Sequence, residues 1–144
     1  STFSQWCPCD IDYYGFKYNG AEHIQMAKKA ALFGDTATEL RMRSTTDPAV
    51  RNALGRTVTG LDPECWERHR HDIVYAANLQ KYRGNPGLRR ALAATGNKHL
   101  AEASPHDLVW GIAFKADHPL ARDPSCWRGH NLLGRILMDL HQHL

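Results

Sequence analysis

The segment that decides the fold spans residues 21–35 and reads AEHIQMAKKAALFGD. Its apolar residues Ile24, Ala27 and Ala31 recur every three or four positions, which places them on one face of an α-helix. We therefore predict an amphipathic helix over residues 21–33, with this face turned towards the core.

Further helix starts are marked by capping side chains, three of which are followed by a proline at the first helical position. The capping residues are Asp35, Asp47, Asp62 and Asn85. Glycines suited to end a helix follow several of these segments. The predicted helices are therefore 21–33, 35–43, 48–55, 63–82, 86–95 and 131–144.

Two short segments predict β-structure. Residues 11–19 alternate loosely around Gly15 and predict a hairpin, and residues 99–103 predict a buried strand. Because no linker, repeat or low-complexity tract interrupts the chain, we expect residues 1–144 to form a single domain. The predicted fold class is α+β and mainly α, a compact single domain of several helices with a small hairpin or sheet.

The composition excludes several classes of protein. The 144 residues are 42% hydrophobic and 23% charged, as in ordinary globular domains. No apolar run approaches the roughly 18 residues of a membrane-spanning helix, and the first ten residues lack the regions of a signal peptide. We expect an intracellular protein, in the cytoplasm with the nucleus as the alternative, and no membrane partner. The formal charge of +3 does not by itself indicate a nucleic-acid binder, and it suits a pocket that receives a phosphate.

The four cysteines, Cys7, Cys9, Cys65 and Cys126, are too few and too scattered for a disulfide framework. Cys7 and Cys9 are separated by one residue, fewer than the two to four that structural zinc sites use. We expect free thiols, no metal site and no cofactor.

A first candidate site lies in the first helix. Glu22 and Lys29 are seven residues apart, nearly two turns, and therefore share a face with Gln25 and Met26 between them. Such a pair supplies a base with either a cation or an amine nucleophile. The structural alternative is that the helix dipole favours an acid in the first turn and that the lysine is solvated.

Two further groups carry chemistry-bearing residues. Glu102 and Asp107 precede Trp110, an arrangement that could line a pocket in which an aromatic base stacks. Equally, Ser104 with Asp107 fits a capping box with Pro105 at the first helical position.

The last group surrounds the start of the final helix. Gly129 could let backbone approach a ligand, and free amides at the helix start could hold a phosphate. Asn131 could instead be only the N-cap. Gly134 inside the helix hints at close packing or ligand approach. Lys81 ends the apolar stripe of the long helix, where it could bind an anion, pair with a buried carboxylate, or extend its ammonium to solvent.

Taken in order, these segments resemble the NADAR family of YbiA-like N-glycosidases, and the resemblance spans nearly the whole chain. The matching pieces are Phe3-Ser4, Tyr18, Glu22-His23, Lys29-Ala30, Leu32-Phe33-Gly34-Asp35, Leu54-Gly55-Arg56, Trp66, Lys81-Tyr82, Leu92, Thr95-Gly96, Glu102-Ala103-Ser104, Asp107, Trp110-Gly111-Ile112, Gly129, Asn131-Leu132-Leu133-Gly134 and Leu137-Met138.

The resemblance implies a metal-independent hydrolase that cuts the bond between a phosphorylated ribose and a nitrogen base. The implied catalytic residues are Glu22, Lys29, Glu102 and Asp107. The implied substrate-binding residues are Trp110, Gly111, Lys81, Asn131, Gly129 and Gln5. Two positions depart from the family pattern: Gln5 stands where the family usually has asparagine, and Ala113 where it has glycine.

The expected substrate is ADP-ribosylated guanine, on a nucleotide or carried on DNA or RNA, so that the reaction reverses guanine ADP-ribosylation, as in DNA repair. One alternative is hydrolysis of phosphorylated ribosylamino-pyrimidine intermediates of riboflavin biosynthesis. Another is a non-catalytic module that binds ADP-ribose or a nucleotide, towards which the replacement at Gln5 points.

Overall fold

The structure is a computed structural model that describes residues 2–96, 98–104 and 106–144. The described residues form a two-stranded antiparallel sheet and six α-helices, which confirms the predicted α+β, mainly helical class. The elements are β1 Ile11–Tyr13, β2 Phe16–Tyr18, α1 Ala21–Leu32, α2 Thr36–Ser44, α3 Pro48–Gly55, α4 Pro63–Arg83, α5 Pro86–Ala93 and α6 Leu132–His141.

The chain divides into two compact units, a first unit of residues 1–90 and a second unit of residues 91–144. The expectation that they make a single domain stays a prediction. None of the helices in the described part of the chain is both long and apolar enough to cross a membrane.

The predicted hairpin is confirmed. In its register Ile11 is opposite Tyr18 and Tyr13 is opposite Phe16, so that a two-residue loop connects the strands. Both loop residues have positive φ, 50° at Tyr14 and 81° at Gly15, and this backbone matches the twist of the strands. The hairpin directs Ile11 and Tyr18 into the core of the first unit.

The first unit is built around α1, which packs against both α2 and α4. The core cluster comprises Ile11, Tyr18, Ala21, Ile24, Ala27, Met42 and Ala77. The predicted face of α1 is correct at Ile24 and Ala27 but wrong at Ala31, which is exposed, whereas Ala30 is buried. The helix therefore buries positions three residues apart at its C-terminal end, and small side chains let its neighbours approach closely.

The helix boundaries follow from local chemistry. Gly34 ends α1 with φ of 72°, and the Asp35 side chain accepts hydrogen bonds from the Thr38 amide at 3.1 Å and the Thr59 amide at 3.0 Å. Asp47 and Asp62 cap α3 and α4 as predicted, each before a proline.

In the second unit, α6 buries Leu133, Ile136, Leu137 and Leu140, which confirms the predicted amphipathic helix. The buried strand predicted at residues 99–103 is wrong, because this segment is irregular and largely exposed. Its backbone is paired with a side chain instead of a strand, through contacts with Asn131 that belong to the candidate site.

Candidate active site

Glu22 lies in the first turn of α1 and exposes only 5% of its surface. Its Oε2 accepts hydrogen bonds from Arg51 Nε at 3.1 Å and Arg51 Nη2 at 2.9 Å, and Arg51 is also buried. Burial raises the pKa of Glu22, and the hydrogen bonds and positive charge of Arg51 oppose that rise. Glu22 is therefore half of a buried ion pair, and not merely an acid favoured by the helix dipole.

Arg51 is the site residue that the sequence analysis missed. It stands four residues before Gly55 on α3, and a Cβ at Gly55 would overlap the end of Met26. Met26 stands four residues after Glu22, one turn further along the same face of α1. The same faces of α1 and α3 therefore meet twice, at Glu22 with Arg51 and at Met26 with Gly55. The arginine–glycine spacing was the available signal, but it identifies the close face only once the two helices are known to pack together.

The departure at Gln5 has a defined structural role. The Gln5 side chain donates to Gln25 Oε1 at 2.9 Å and accepts from Asn78 Nδ2 at 2.7 Å. Its backbone carbonyl accepts from the Glu22 amide at 2.9 Å. Gln5 thus ties the N-terminal segment to both α1 and α4, immediately beside the start of α1.

Lys29 is half-buried, and its Nζ lies 4.7 Å from the centre of the Trp66 ring. Burial lowers the pKa of this lysine. Glu22 and Lys29 are separated by about 10 Å along the axis of α1, as seven residues at 1.5 Å each require. Direct proton exchange between them therefore needs a substrate group or a water molecule in between.

Lys81 is completely buried. Of the three possibilities that the sequence left open for this residue, the one in which its ammonium reaches solvent is therefore wrong. Its Nζ donates to the Ser4 carbonyl at 2.9 Å and lies 5.2 Å from the centre of the Tyr82 ring. No carboxylate pairs with it among the described residues. Its observed contact holds the N-terminal segment, and contact with substrate stays a prediction.

The second unit contains the other predicted acids. Glu102 is half-buried, and burial together with the negative charge of Asp107 raises its pKa. Asp107 Oδ1 accepts from the Val109 amide at 3.0 Å and the Trp110 amide at 2.8 Å, which closes a turn. The charge of Asp107 therefore acts on Glu102, and the catalytic role of both acids stays a prediction. Residues 106–110 are not helical, and the Pro105 of the capping-box alternative lies outside the described residues.

Asn131 occupies the N-cap position of α6 with φ of 51°, yet its side chain makes no capping hydrogen bond. Its Nδ2 donates to the Leu100 carbonyl at 2.9 Å, and its Oδ1 accepts from the Glu102 amide at 2.9 Å. Asn131 is thus at the N-cap by position, as predicted, but its side chain does not cap the helix. The Asn131 carboxamide bonds one carbonyl and one amide of the segment, as the backbone of a neighbouring strand would. Residues 99–103 therefore need no strand partner for these two groups.

The close approach inferred at Gly134 is confirmed. A Cβ there would overlap the Leu100 carbonyl and the Asn131 amide, so only glycine lets this segment lie against α6. The glycine is therefore required by packing.

The backbone around Gly111 and Gly129 is equally crowded. A Cβ at Gly129 would overlap the Gly111 carbonyl, and one at Gly111 would lie 2.8 Å from the Glu102 carbonyl. Close backbone packing thus accounts for both glycines, and their contact with substrate stays a prediction.

The prediction of free amides at the start of the last helix is wrong for its first two residues. The Leu132 amide donates to the Val109 carbonyl at 3.0 Å, and the Leu133 amide donates to the Trp110 carbonyl at 3.2 Å. The turn that contains Asp107 and Trp110 is therefore hydrogen-bonded to the start of α6, and these two amides are not free to hold a phosphate.

The predicted residues thus form two groups. The first unit holds Glu22, Arg51, Gln5 and Lys29. The second unit holds Glu102, Asp107, Trp110 and Asn131, on loops that are hydrogen-bonded to one another. Among the residues that the structure describes, no cluster of histidine, cysteine or acidic side chains is arranged to hold a metal ion.

The chain matches a family model described as the NADAR domain over residues 1–144. The chain belongs to the NADAR domain family. The resemblance found from the sequence motifs is thereby confirmed. This NADAR chain is 37% identical to N-glycosidase R617 of Acanthamoeba polyphaga mimivirus, over 97% of the chain and 85% of that protein.

Two further comparisons bear on the NADAR assignment. The chain is 29% identical to the chloroplastic riboflavin biosynthesis protein PYRR of Zea mays, over 96% of the chain but only 20% of that protein. The NMR structure of the E. coli protein YbiA matches with a TM-score of 0.80 and 25% identity, over 99% of this chain and 76% of that one. The fold and the family are therefore established together.

Proposed function

We propose that this protein is an N-glycosidase that hydrolyses the bond between a phosphorylated ribose and a nitrogen base, with ADP-ribosylated guanine as its substrate. The pairing of Glu102 with Asp107 carries the proposal, because N-glycosyl hydrolysis needs one group that holds a proton and another that handles water. Membership of the NADAR family and the 37% identity to a protein named N-glycosidase support it.

The chemistry assigns work to each acid. As the bond from C1′ to the base nitrogen breaks, positive charge grows on the sugar and negative charge on the base. Glu102 keeps its proton to a higher pH than an exposed glutamate, so it is suited to protonate the departing nitrogen. Asp107 has Oδ1 committed to two backbone amides, which leaves Oδ2 to orient the attacking water or the sugar. Trp110 stacks on the base.

Lys29 supplies a second route. Its pKa is lowered by burial, so more of it is the neutral amine than for an exposed lysine. The amine attacks C1′, the bond to the base breaks, and the base nitrogen takes up a proton. Opening of the ribose ring then gives a Schiff base, which water hydrolyses to release the sugar and regenerate the lysine.

The covalent route is tested by treating the protein with borohydride during turnover and looking for a sugar adduct by mass spectrometry. Lys29→Arg is expected to lose the adduct and most activity, whereas Lys28→Arg, its neighbour beside Tyr13, is the matched control and keeps both. An active Lys29→Arg variant with no adduct in the wild-type protein would leave Lys29 as a fixed cation only.

The decisive assay for the function offers ADP-ribosylated guanosine monophosphate and a phosphorylated ribosylamino-pyrimidine separately and measures the free base by chromatography. We expect release from the guanine conjugate at the higher kcat/KM. Chelation with EDTA is expected to leave the rate unchanged. Binding without release of either base would instead indicate a recognition module.

The riboflavin intermediate remains the second candidate, favoured by the match to the Zea mays protein. That protein is about five times as long as the matched region, since the chain covers 20% of it. Preferential cleavage of the ribosylamino-pyrimidine would assign the chain to this chemistry.

A further inference from the structure

Two adjoining cavities in the second unit are not used by the proposed reaction. One has a volume of about 410 Å³ and is lined by His99, by Pro124, by residues 127–131, and by Arg135 and Met138. The other, of about 140 Å³, is lined by Thr95, Gly96, Lys98, His99 and Leu100 and by Met138, His141 and Gln142. His99 and Met138 line both, so the cavities meet along one edge and together form what we call the basic groove.

The basic groove concentrates positive charge. Its cationic or titratable lining residues are Lys98, His99, Arg128, His130, Arg135 and His141. No aspartate or glutamate lines either cavity within the described residues. Residues 91–144 contain five lysines and arginines and five acidic residues, so this separation of charge reflects position and not composition. The acid next to Met138 in the sequence, Asp139, does not line either cavity, and its Oδ1 lies 3.8 Å from Nδ1 of His143.

Several groups in the groove are held in place before any ligand arrives. The Arg128 guanidinium lies 5.1 Å from the centre of the buried Phe114 ring, and the Arg128 amide donates to the Ile112 carbonyl at 3.1 Å. The Trp127 indole donates to the Ala121 carbonyl at 2.9 Å, which fixes its ring. Neither Arg128 nor Arg135 is ion-paired with an acid in the described part of the chain.

We propose that the basic groove binds the phosphodiester backbone of the single-stranded nucleic acid that carries the modified base. Unpaired arginines along a groove of two cavities suit successive phosphates better than one isolated anion. Trp127 offers a ring on which a base can stack. Gly129 and Asn131 line the groove and also contact the loops that hold Glu102 and Asp107, so a bound strand runs beside the candidate catalytic acids. This inference rests on the proposed function for the identity of the base, but not for the binding of the strand.

Binding is tested first, without any reaction, by fluorescence anisotropy of an unmodified single-stranded decanucleotide at several salt concentrations. The groove has three permanently charged side chains, Lys98, Arg128 and Arg135. Each phosphate contact on a single strand contributes about 0.7 to the salt dependence, so the logarithm of the binding constant should fall with the logarithm of the salt concentration at a slope of about −2. The double variant Arg128→Gln/Arg135→Gln is expected to weaken binding and to reduce the slope to about −0.7. Arg122→Gln, an exposed arginine of the same unit outside the lining, is the matched control and keeps the wild-type slope.

The second measurement separates a strand from the phosphates of the substrate itself. The double variant is expected to raise KM for ADP-ribosylated guanine within an oligonucleotide by tenfold or so, while KM for the mononucleotide conjugate and both kcat values stay unchanged. An equal rise in both KM values would mean that the arginines hold the pyrophosphate, and the strand proposal would fall. Absence of strand binding, or an unchanged salt slope in the double variant, would also overturn it. If neither substrate is cleaved, the proposed function fails while the anisotropy experiment still decides the groove.

Discussion

Two glutamates, one buried in the first unit and one half-buried in the second, show how the same residue type is prepared for different work. Glu22 stands on a helix and faces the guanidinium of Arg51. Glu102 stands in an irregular segment and lies near a second acid, Asp107. Burial raises the pKa of both, but the neighbouring charge opposes the rise in the first case and adds to it in the second.

The different neighbours make Glu22 suited to carry a fixed charge and Glu102 suited to hold and release a proton. An ion pair whose side chains expose only 6% and 4% of their surface keeps the Glu22 carboxylate charged and in one orientation. Two acids near each other cannot both be charged without cost, so Glu102 holds its proton longer. We therefore expect Glu22 to matter most for the folded structure and Glu102 most for turnover.

The largest expected effect is on stability, from Arg51→Met. This change leaves Glu22 buried without its cation and should lower the free energy of unfolding by about 3–5 kcal/mol, measured by urea denaturation. Adding Glu22→Gln removes the uncompensated charge and should restore much of the loss. If the single and double variants were equally stable, the pair would not be coupled and the contrast with Glu102 would disappear.

The next effect is on rate, from Glu102→Gln. Loss of a proton donor should lower kcat by about a hundredfold or more while thermal unfolding is unchanged. Glu67→Gln is the matched control, because that glutamate is 71% exposed on α4 and should leave kcat at the wild-type value. Full activity of Glu102→Gln would remove this residue from the mechanism.

A smaller effect tests whether the charge of Asp107 contributes to the raised pKa of Glu102. Asp107→Asn removes the negative charge that raises the pKa of Glu102, while the amide oxygen can still accept from the turn. The midpoint of the Glu102 carboxyl carbon in an NMR titration should therefore move to lower pH. An Asp123→Asn control, at the acid that caps the short 3-10 helix Pro124–Cys126, should not move it. A midpoint that does not respond to Asp107→Asn would mean that burial alone sets this pKa.

The smallest effect concerns His23, next to Glu22 on α1. Its Nε2 donates to the Met42 carbonyl and its Nδ1 accepts from the Asn19 amide at 3.3 Å, so the folded protein holds it neutral. Burial lowers its pKa below the ordinary 6.5. Its contribution to stability is complete above pH 6.5 and is lost as the pH falls, because the unfolded chain takes up the proton first.

The measurement is urea denaturation at pH 7.5 and 5.5, compared between wild-type protein and His23→Gln. The wild type should lose more stability on acidification than the variant, by about 1 kcal/mol or less. Glu22 contributes a pH dependence of its own, which is common to both proteins and cancels in the difference. The same pH dependence in both proteins would show that His23 is not held neutral.

Elements encoded by neighbouring residues were predictable from the sequence. The stop at Gly34, the caps at Asp35, Asp47 and Asp62, and the hairpin around Gly15 depend on backbone preferences within four or five residues. The strand predicted at residues 99–103 failed because its hydrogen-bonding partner is a side chain 31 residues away at Asn131. Nothing local distinguishes such a segment from a strand.

The candidate site shows the same division. The proximity of Glu102 to Asp107 followed from their short separation in sequence, and the family resemblance singled out both. Arg51 could not be found, because a buried arginine is recognised only by the acid it faces, 29 residues earlier. The amides at the start of α6 were assigned wrongly, since their acceptors lie in a turn more than twenty residues away.

The double contact of Asn131 has a chemical consequence for that position. One side of its carboxamide faces a carbonyl and the other faces an N–H, so only a group with both a donor and an acceptor fits. Loss of the amide nitrogen through spontaneous deamidation would set a negative oxygen against the Leu100 carbonyl and push the two segments apart. Ageing of this single side chain would then release the backbone on which Glu102 is mounted, and the protein would lose alignment of its acid before it lost its fold.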